Sequence, residues 1–391
     1  MLPKSNAAGL HVRYEKAGLV LDALPIPWNA DAAIVEANVN PPVSVALEKQ
    51  QFSLKLGDRS TIAEVILRPK TKGPARVFFR VPVPARSCSA EVSWRDHLLG
   101  KVEIPIIARD DFVRGVALRL ASAHIGIKGG RTAPCLAFVS GQAQTLAANA
   151  VVETPGPLAP LADLDLHVNV SRHGNLIGNL PLVLTSEQMR ARQAILSAML
   201  PKLRLQGDYA ISWCVGSVVL HTLRLRLVAK RAFLQSLRIS ATRFIVEKKD
   251  GAVEVMRWLP QRDGKVVLDD LVRVAPCFYV CSSIAGMAGL AGLTLRAVGA
   301  DSNRLLGSAD VLVTDGPTPY LPVTLAADEL GRVRHFTLET SAGPLGNLPL
   351  IATPQADFTA EGGMAPLDDF VWSAAAEEQL NERLGKLLGG E

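Results

Sequence analysis

Histidines and cysteines are the side chains of this 391-residue chain best suited to bind a metal. The seven histidines are scattered; His167 and His173 flank a predicted turn, with Asp165 on the same strand face as His167. A zinc site there would need further ligands from distant strands. Cys277 and Cys281 would share a strand face rather than form a zinc knuckle. The spacing predicts solvated turn histidines and buried thiols, with no metal and no cofactor.

Nucleophilic catalysis would require a serine or cysteine at a strained turn and a base held by a carboxylate. The sequence has no Gly-x-Ser-x-Gly elbow, and Gly174-Asn-Leu-Ile-Gly178 lacks the Gly-Lys-Ser/Thr ending of a phosphate-binding loop. Neighbouring carboxylates on a strand point to opposite faces and do not make an acid–base couple. Such pairs occur at Asp110-Asp111, Asp269-Asp270 and Asp368-Asp369. These patterns predict a protein that is not an enzyme.

Basic residues concentrate between positions 202 and 249, where ten of them stand against two acidic residues. In the predicted strand from His221 to Leu227, Arg224 and Arg226 share one face and three leucines share the other. Together with Arg238 they predict an exposed basic sheet face that binds another protein with an acidic surface.

Nucleic acid is the less favoured partner for this face. A nucleic-acid site would interleave aromatic side chains with the cations or use a basic helix, and Phe233 and Phe244 are both predicted to be in the core. The net charge of +5 also falls short of a protein that coats nucleic acid. Nucleic-acid binding through residues 202–249 stays an alternative that predicts a steep salt dependence.

An internal repeat organises the chain. The run Glu91-Val-Ser-Trp94 matches Ala210-Ile-Ser-Trp213 at an offset of 119 residues, and the same offset carries Leu118-Arg-Leu120 onto Leu237-Arg-Ile239. A short turn ending in glycine followed by an apolar strand with a proline also recurs, with the prolines at Pro105, Pro181 and Pro349. Proline lacks the backbone N–H, so these strands are predicted at sheet edges.

Short strands with period-two alternation, separated by turn residues, predict an all-β protein of tandem antiparallel β-sandwiches. A tryptophan in an early strand of each copy resembles the immunoglobulin or fibronectin type III layout. Residues 186–200 are predicted as a short helix or turn, capped by Thr185 or Ser186, and then a strand. The predicted ranges are an N-terminal strand-rich domain, two sandwich repeats, a partial third repeat and a helical tail, at 1–75, 76–191, 192–315, 316–356 and 357–391.

Two further features predict contacts with partners. Trp28 lies in a proline-flanked loop, where it either covers the N-terminal core or is an exposed anchor; covering the core is the favoured interpretation. The acidic tail places Leu380, Leu384 and Leu388 on one stripe of an amphipathic helix, which docks on its own domain or on a partner chain. The basic body and acidic tail can pair within one chain or between chains, so self-association is an expectation too.

The sequence as given lacks the pattern of a secretory signal, and its five cysteines are odd in number and lie in apolar runs. Both features predict a cytoplasmic protein with reduced thiols. The weakly polar stretch 274–295 is broken by Pro276 and several glycines, so no membrane span is predicted.

The function predicted from these features is a non-catalytic scaffold, adaptor or assembly subunit that binds other proteins through its sandwich surfaces. The alternative from another class is a hydrolase with a dispersed site in a crevice between domains. That alternative predicts that side chains such as His124, His167 and Asp165 converge in one pocket.

Overall fold

The computed structural model describes residues 9–40, 46–68, 73–95, 97–127, 130–257, 259, 261–262, 265–300 and 302–350. The predicted all-β class is confirmed: strands dominate, most of them pair antiparallel, and the helices are short. The chain forms two compact units. Unit one contains Met1–Ala121, Ala148–Met199 and Ala210–Leu223; unit two contains Ser122–Ala147, Leu200–Tyr209 and Arg224–Glu391.

The first eleven strands belong to unit one, and nine of them form a β-sandwich. Their bounds are β1 Leu10–Lys16, β2 Leu19–Leu21, β3 Ile26–Pro27, β4 Ala32–Val39, β5 Phe52–Leu56, β6 Arg59–Ile62, β7 Val65–Leu67, β8 Ala75–Val81, β9 Cys88–Trp94, β10 His97–Ile104 and β11 Ile106–Ile107. One sheet has the order β2-β1-β4-β8-β7 and the other has the order β10-β9-β5-β6, whereas β3 and β11 pair with each other in parallel. A 3-10 helix, Lys49–Gln51, precedes β5.

Alternation of apolar residues explains why these strands pack as a sandwich. In β8, Ala75, Val77, Phe79 and Val81 are buried and the residues between them are more exposed. They meet Phe52 and Leu54 of the facing sheet in one apolar core. β8 thus buries every second side chain, which is the arrangement expected of an antiparallel strand with one solvated face.

The middle of the chain alternates hairpins with single-turn helices. The elements are α1 Arg109–Arg114, β12 Ala117–Ile127, β13 Arg131–Cys135, β14 Ala137–Val139, β15 Ala143–Glu153, the 3-10 helix Ala159–Asp163, β16 Leu166–Arg172, β17 Asn175–Pro181, α2 Ser186–Arg190, β18 Gln193–Met199, β19 Gly207–Val215, β20 Val218–Val228 and α3 Lys230–Ser236. The predicted split of residues 186–200 into a helix and a strand is confirmed, and Thr185 caps α2 through a capping box with Gln188.

The last strands build a second sandwich inside unit two. They are β21 Leu237–Lys248, β22 Val253–Met256, β23 Gln261–Arg262, β24 Lys265–Val266, β25 Leu271–Ser282, β26 Met287–Gly299, β27 Asn303–Thr314, β28 Thr318–Tyr320, β29 Leu325–Ala326, β30 Val333–Thr340 and β31 Gly343–Pro349, with the 3-10 helix Ala327–Arg332 before β30. β22, β21, β25 and β28 form one sheet; β26 pairs with β27 and β30, and β30 pairs with β31. Phe244, Phe278 and Phe336 lie in the core between them.

The sequence repeat corresponds to a repeated order of elements. A hairpin, a short helix and a strand occur in this order in β9-β10-α1-β12, with the two-residue β11 before α1, and again in β19-β20-α3-β21. Phe112 of α1 and Phe233 of α3 are both buried, so each short helix anchors its copy through one phenylalanine. The order occurs a third time in β16-β17-α2-β18, a copy that the sequence analysis did not recognise.

The predicted position of the proline-containing strands at sheet edges is confirmed. Pro181 and Pro349 end β17 and β31, and Pro105 follows β10 directly. β17, β31 and β10 are each the last strand of their sheet. The missing proline N–H therefore costs no ladder hydrogen bond.

The division into five consecutive ranges remains a prediction. β8 begins at the predicted limit of residue 75 and pairs with β4 and β7, which precede that limit. β9 and β10 then complete the second sheet of the N-terminal sandwich. Hydrogen bonding thus joins residues on both sides of position 75.

In unit two, one side chain makes the hydrogen bonds to β26 that the backbone of a neighbouring strand would otherwise make. β14 pairs with β26 at Met287 and Ala288, and β30 pairs with β26 from Thr294 onward. Between these pairings the Gln142 amide donates to the Leu290 carbonyl at 2.8 Å and accepts from the Leu290 N–H at 2.7 Å. Gln142 thereby satisfies both backbone groups of Leu290, which would otherwise lack partners at this gap in the sheet.

Replacing Gln142 by leucine should lower the free energy of unfolding by about 1–3 kcal/mol, because both polar groups of Leu290 lose their partner. Chemical denaturation of the full chain measures this, with Gln144→Leu as the matched control on an exposed position nearby. Equal losses in the two variants would contradict the bracing role of Gln142.

Candidate functional site

Strand β20 presents the predicted basic residues to solvent. Leu225 and Leu227 are 1% and 2% exposed, whereas Arg224 and Arg226 on the opposite face are exposed. Arg226 is held by Asp208, whose Oδ1 accepts from Nε at 2.7 Å. This partner raises the pKa of Arg226, first through the hydrogen bond and then through its charge. The alternation predicted from the sequence is therefore observed, and one of its two arginines already has a carboxylate partner.

Most other exposed cations of this region have no carboxylate partner. Among the described residues, no carboxylate oxygen lies within 4.0 Å of the following exposed side chains: Lys202, Arg204, Arg224, Lys230, Arg231, Arg238 and Lys249. All seven belong to unit two. Their charge is thus available to an acidic partner.

Arg243 is one of the ten basic residues between positions 202 and 249, but it does not belong to the exposed cations. It is 7% exposed, because β21 is covered on both faces between Ala241 and Val246. The period-two rule assumes one solvated face, and this strand has none over that stretch. The expectation that Arg243 adds to an exposed basic face is wrong.

Trp28 is half-buried in unit one. Its ring centroid lies 5.7 Å from that of Phe112 in α1, and its backbone N–H donates to the Ile107 carbonyl at 3.1 Å. It packs on a cluster that includes Phe112 and Leu158, not on the core between the two N-terminal sheets. Trp28 thus covers a core, as the favoured interpretation predicted, but a different core from the expected one. A binding role for Trp28 stays a prediction.

The structure brings four polar side chains of unit one together: Asp165 directly precedes β16, His167 and Asn169 are on β16, and Cys214 is on β19. Asp165 accepts from His167 through its carbonyl at 3.0 Å, and its carboxylate Oδ2 lies 3.3 Å from the same Nδ1 atom. His167 Nε2 lies 3.2 Å from the Asn169 amide, which in turn lies 3.7 Å from Cys214 Sγ. His167 and Cys214 are direct partners in the antiparallel pairing.

The cluster resembles a nucleophile–base–carboxylate set in composition, but the environment of the thiol opposes that chemistry. Burial raises the pKa of Cys214, the Asn169 hydrogen bond lowers it and the Asp165 charge raises it again. At neutral pH the sulfur is therefore a thiol, which is a poor nucleophile. His167 is 4% exposed, whereas the Asp165 side chain at the end of this chain of hydrogen bonds is exposed to solvent. His173 stands in the solvated turn, as predicted, but the same expectation is wrong for His167, which is buried on β16.

Two cavities lie within single units. A cavity of about 440 Å³ in unit one is mostly apolar and is lined by Leu54, Leu56, Val81, Pro82, Val83 and Pro84, with Arg59 and Arg80 beside them. A polar cavity of about 520 Å³ in unit two opens beside Gln142 and contains Lys230, Arg296, Asp310 and Glu339. Arg296 and Glu339 form an ion pair there. Neither cavity contains His124, His167 or Asp165, the residues that the hydrolase alternative requires.

Over the described part of the chain, three or more histidine, cysteine, aspartate or glutamate side chains nowhere group so as to hold a metal ion. None of the described helices has the length and apolar character needed to cross a membrane. Leu380, Leu384 and Leu388 lie outside the described residues, so docking through the tail stays a prediction.

Comparison with known proteins gives no family. No protein-family model matches the chain, and no curated protein matches it. Among solved structures, the Escherichia coli adhesin FdeC matches with a TM-score of 0.25 and 10% identity, covering 89% of this chain and 99% of that chain. Invasin, a bacterial integrin-binding protein, matches with a TM-score of 0.26 and 11% identity over 88% of this chain and 60% of invasin.

Domains 4–9 of the surface layer protein SbsC match with a TM-score of 0.31 and 10% identity, covering 89% of this chain and 48% of that chain. These values are too low to transfer an activity or a partner.

Replacing Trp28 by alanine should lower the free energy of unfolding by about 3 kcal/mol, because the ring leaves a void on the Phe112 cluster. Trp28→Phe keeps an aromatic contact and should lose less. Urea denaturation of the full chain compares the two variants. A loss below about 0.5 kcal/mol for the alanine variant is the behaviour of an exposed side chain and would contradict the packing.

Iodoacetamide at pH 8 should label Cys281 in the native protein before Cys135 and Cys214. Cys281 is half-buried, whereas burial raises the pKa of Cys135 to about 12 and also raises that of Cys214. Only the thiolate reacts, so a raised pKa suppresses labelling. Mass spectrometry of tryptic peptides gives the order; labelling of Cys214 as fast as Cys281 would favour the catalytic alternative.

Proposed function

We propose that this protein is a non-catalytic scaffold or assembly subunit that binds an acidic protein through the exposed cations of unit two. The observation that carries the proposal is the group of seven exposed basic side chains without carboxylate partners among the described residues. Exposed charges of one sign repel each other and attract an oppositely charged surface. Binding an acidic partner relieves this repulsion.

Three features support a binding role over a catalytic one. The thiol of Cys214 is held in its neutral form, and His167 is closed off from solvent. The apolar side chains of edge strands reach solvent, with Leu176 and Ile177 of β17 at 61% and 48% exposed. Open strand edges with exposed apolar residues are surfaces on which proteins associate.

We also propose that the protein is located in the cytoplasm. All five cysteines are free in the structure, and Cys135, Cys214 and Cys277 are buried. Reduced thiols are the usual state of cysteine in that compartment.

Binding of the full chain to poly-glutamate at 150 mM NaCl tests the proposal. The double variant Arg224→Glu/Arg238→Glu should weaken binding about tenfold, because two attractive contacts become repulsive. Arg59→Glu/Arg86→Glu is the matched control: it makes the same change in net charge on exposed residues of unit one.

Equal weakening by both double variants would show that only net charge matters and would contradict a defined surface. A single-stranded oligonucleotide that binds more tightly than poly-glutamate, although both are polyanions, would favour the nucleic-acid alternative.

A further inference from the structure

Arg243 is a buried cation for which the described part of the chain supplies no charged partner. The side chain is on β21 and is 7% exposed. Its Nη1 donates to the carbonyl of Thr242 at 2.7 Å, which is a neutral acceptor. Among described residues no carboxylate oxygen lies within 4.0 Å of the guanidinium. A buried charge is normally paired, because removing it from water costs several kcal/mol.

A second arginine lies next to Arg243. In the pairing of β21 with β22, Phe244 stands opposite Met256, and Arg257 directly follows Met256 at the end of β22. Its charge is close enough to Arg243 to lower the pKa of that guanidinium. Arg257 is half-buried, and no carboxylate lies within ion-pair distance of it in the described structure. A like charge nearby disfavours the charged form of a buried group.

The surroundings of the two arginines are otherwise neutral and apolar. Cys277 stands opposite Arg243 on β25, and Tyr279 lies two residues further along the same face. Ala241, Ile245, Ala275 and Leu321 complete a small apolar cluster with them. Burial lowers the pKa of Arg243. The neighbouring Tyr279 and Cys277 raise this pKa, whereas Arg257 lowers it further. An anion is the component that this arrangement lacks.

We propose that Arg243 and Arg257 form a binding site for a small oxyanion, such as phosphate or a carboxylate. Guanidinium groups bind oxyanions through paired N–H donors, and a low-dielectric environment strengthens such contacts. The half-buried Arg257 gives the ligand access from solvent, and Arg243 supplies the desolvated charge. The site is separate from the exposed cations of the proposed partner surface, so the two proposals can fail independently.

Thermal unfolding of the full chain tests this site. Sodium phosphate at 10 mM should raise the melting temperature by about 2–4 °C over sodium chloride of equal ionic strength, since a ligand of the native state stabilises it. Sodium acetate and sodium sulfate in parallel show whether planar or tetrahedral oxyanions are preferred. Arg257→Gln should abolish the rise, whereas Arg334→Gln, which changes an exposed arginine of β30 in the same unit, should keep it.

A second variant guards against a general effect of salt. Arg243→Met removes the buried charge and keeps an apolar side chain of similar length, so its melting temperature in chloride should equal or exceed that of the native chain. Phosphate should then give it no additional stability. A phosphate effect that survives in Arg257→Gln, or no effect of any oxyanion on the native chain, would overturn the proposal.

Discussion

Burial of alternate side chains is the constraint on which this structure depends. An antiparallel strand directs successive side chains to opposite faces, so packing one face against a second sheet leaves the other face to polar residues. β8 and β20 show both consequences: Phe79 and Leu225 lie in cores, and Arg80 and Arg224 reach solvent. Cations collect on outer faces because the inner faces are already filled.

Features set by local pattern were predictable from the sequence. The all-β class, the outward position of Arg224 and Arg226, the edge placement of Pro181 and Pro349, and the capping by Thr185 all follow from periodicity or from backbone chemistry. Each needs information from only a few neighbouring residues. The buried Phe233 belongs to the same group.

Features set by contacts between distant segments were not predictable. Gln142 braces Leu290, 148 residues away, and the meeting of His167 with Cys214 depends on strand register. Arg243 was misplaced because nothing local shows that β21 is covered on both faces. Trp28 was expected over the N-terminal core and instead packs on Phe112. The sequence does not show the path of the loop that carries Trp28, so this contact could not be predicted. Periodicity predicts which face of a strand a side chain occupies. It does not predict which distant residues that side chain contacts.

The two proposals arise from one property, the ten basic residues that stand against two acidic ones between positions 202 and 249. Where the cations are exposed, water solvates them and a partner surface can replace that water at little cost. Arg243 is buried and has lost its solvation by water, so an anionic ligand stabilises its charge more than it would stabilise an exposed cation. The polar chain from Asp165 to Cys214 links four side chains of unit one by hydrogen bonds, and within the described structure the buried Asn169 Oδ1 has no partner.

The central claim, that the exposed cations of unit two bind an acidic partner, is tested most directly by amide hydrogen exchange. The full chain is compared with and without poly-glutamate at 150 mM NaCl. The account predicts slower exchange in the segment from Arg224 to Arg238 and unchanged exchange in β1 to β11. Protection of the N-terminal sandwich with no change between Arg224 and Arg238 would contradict it.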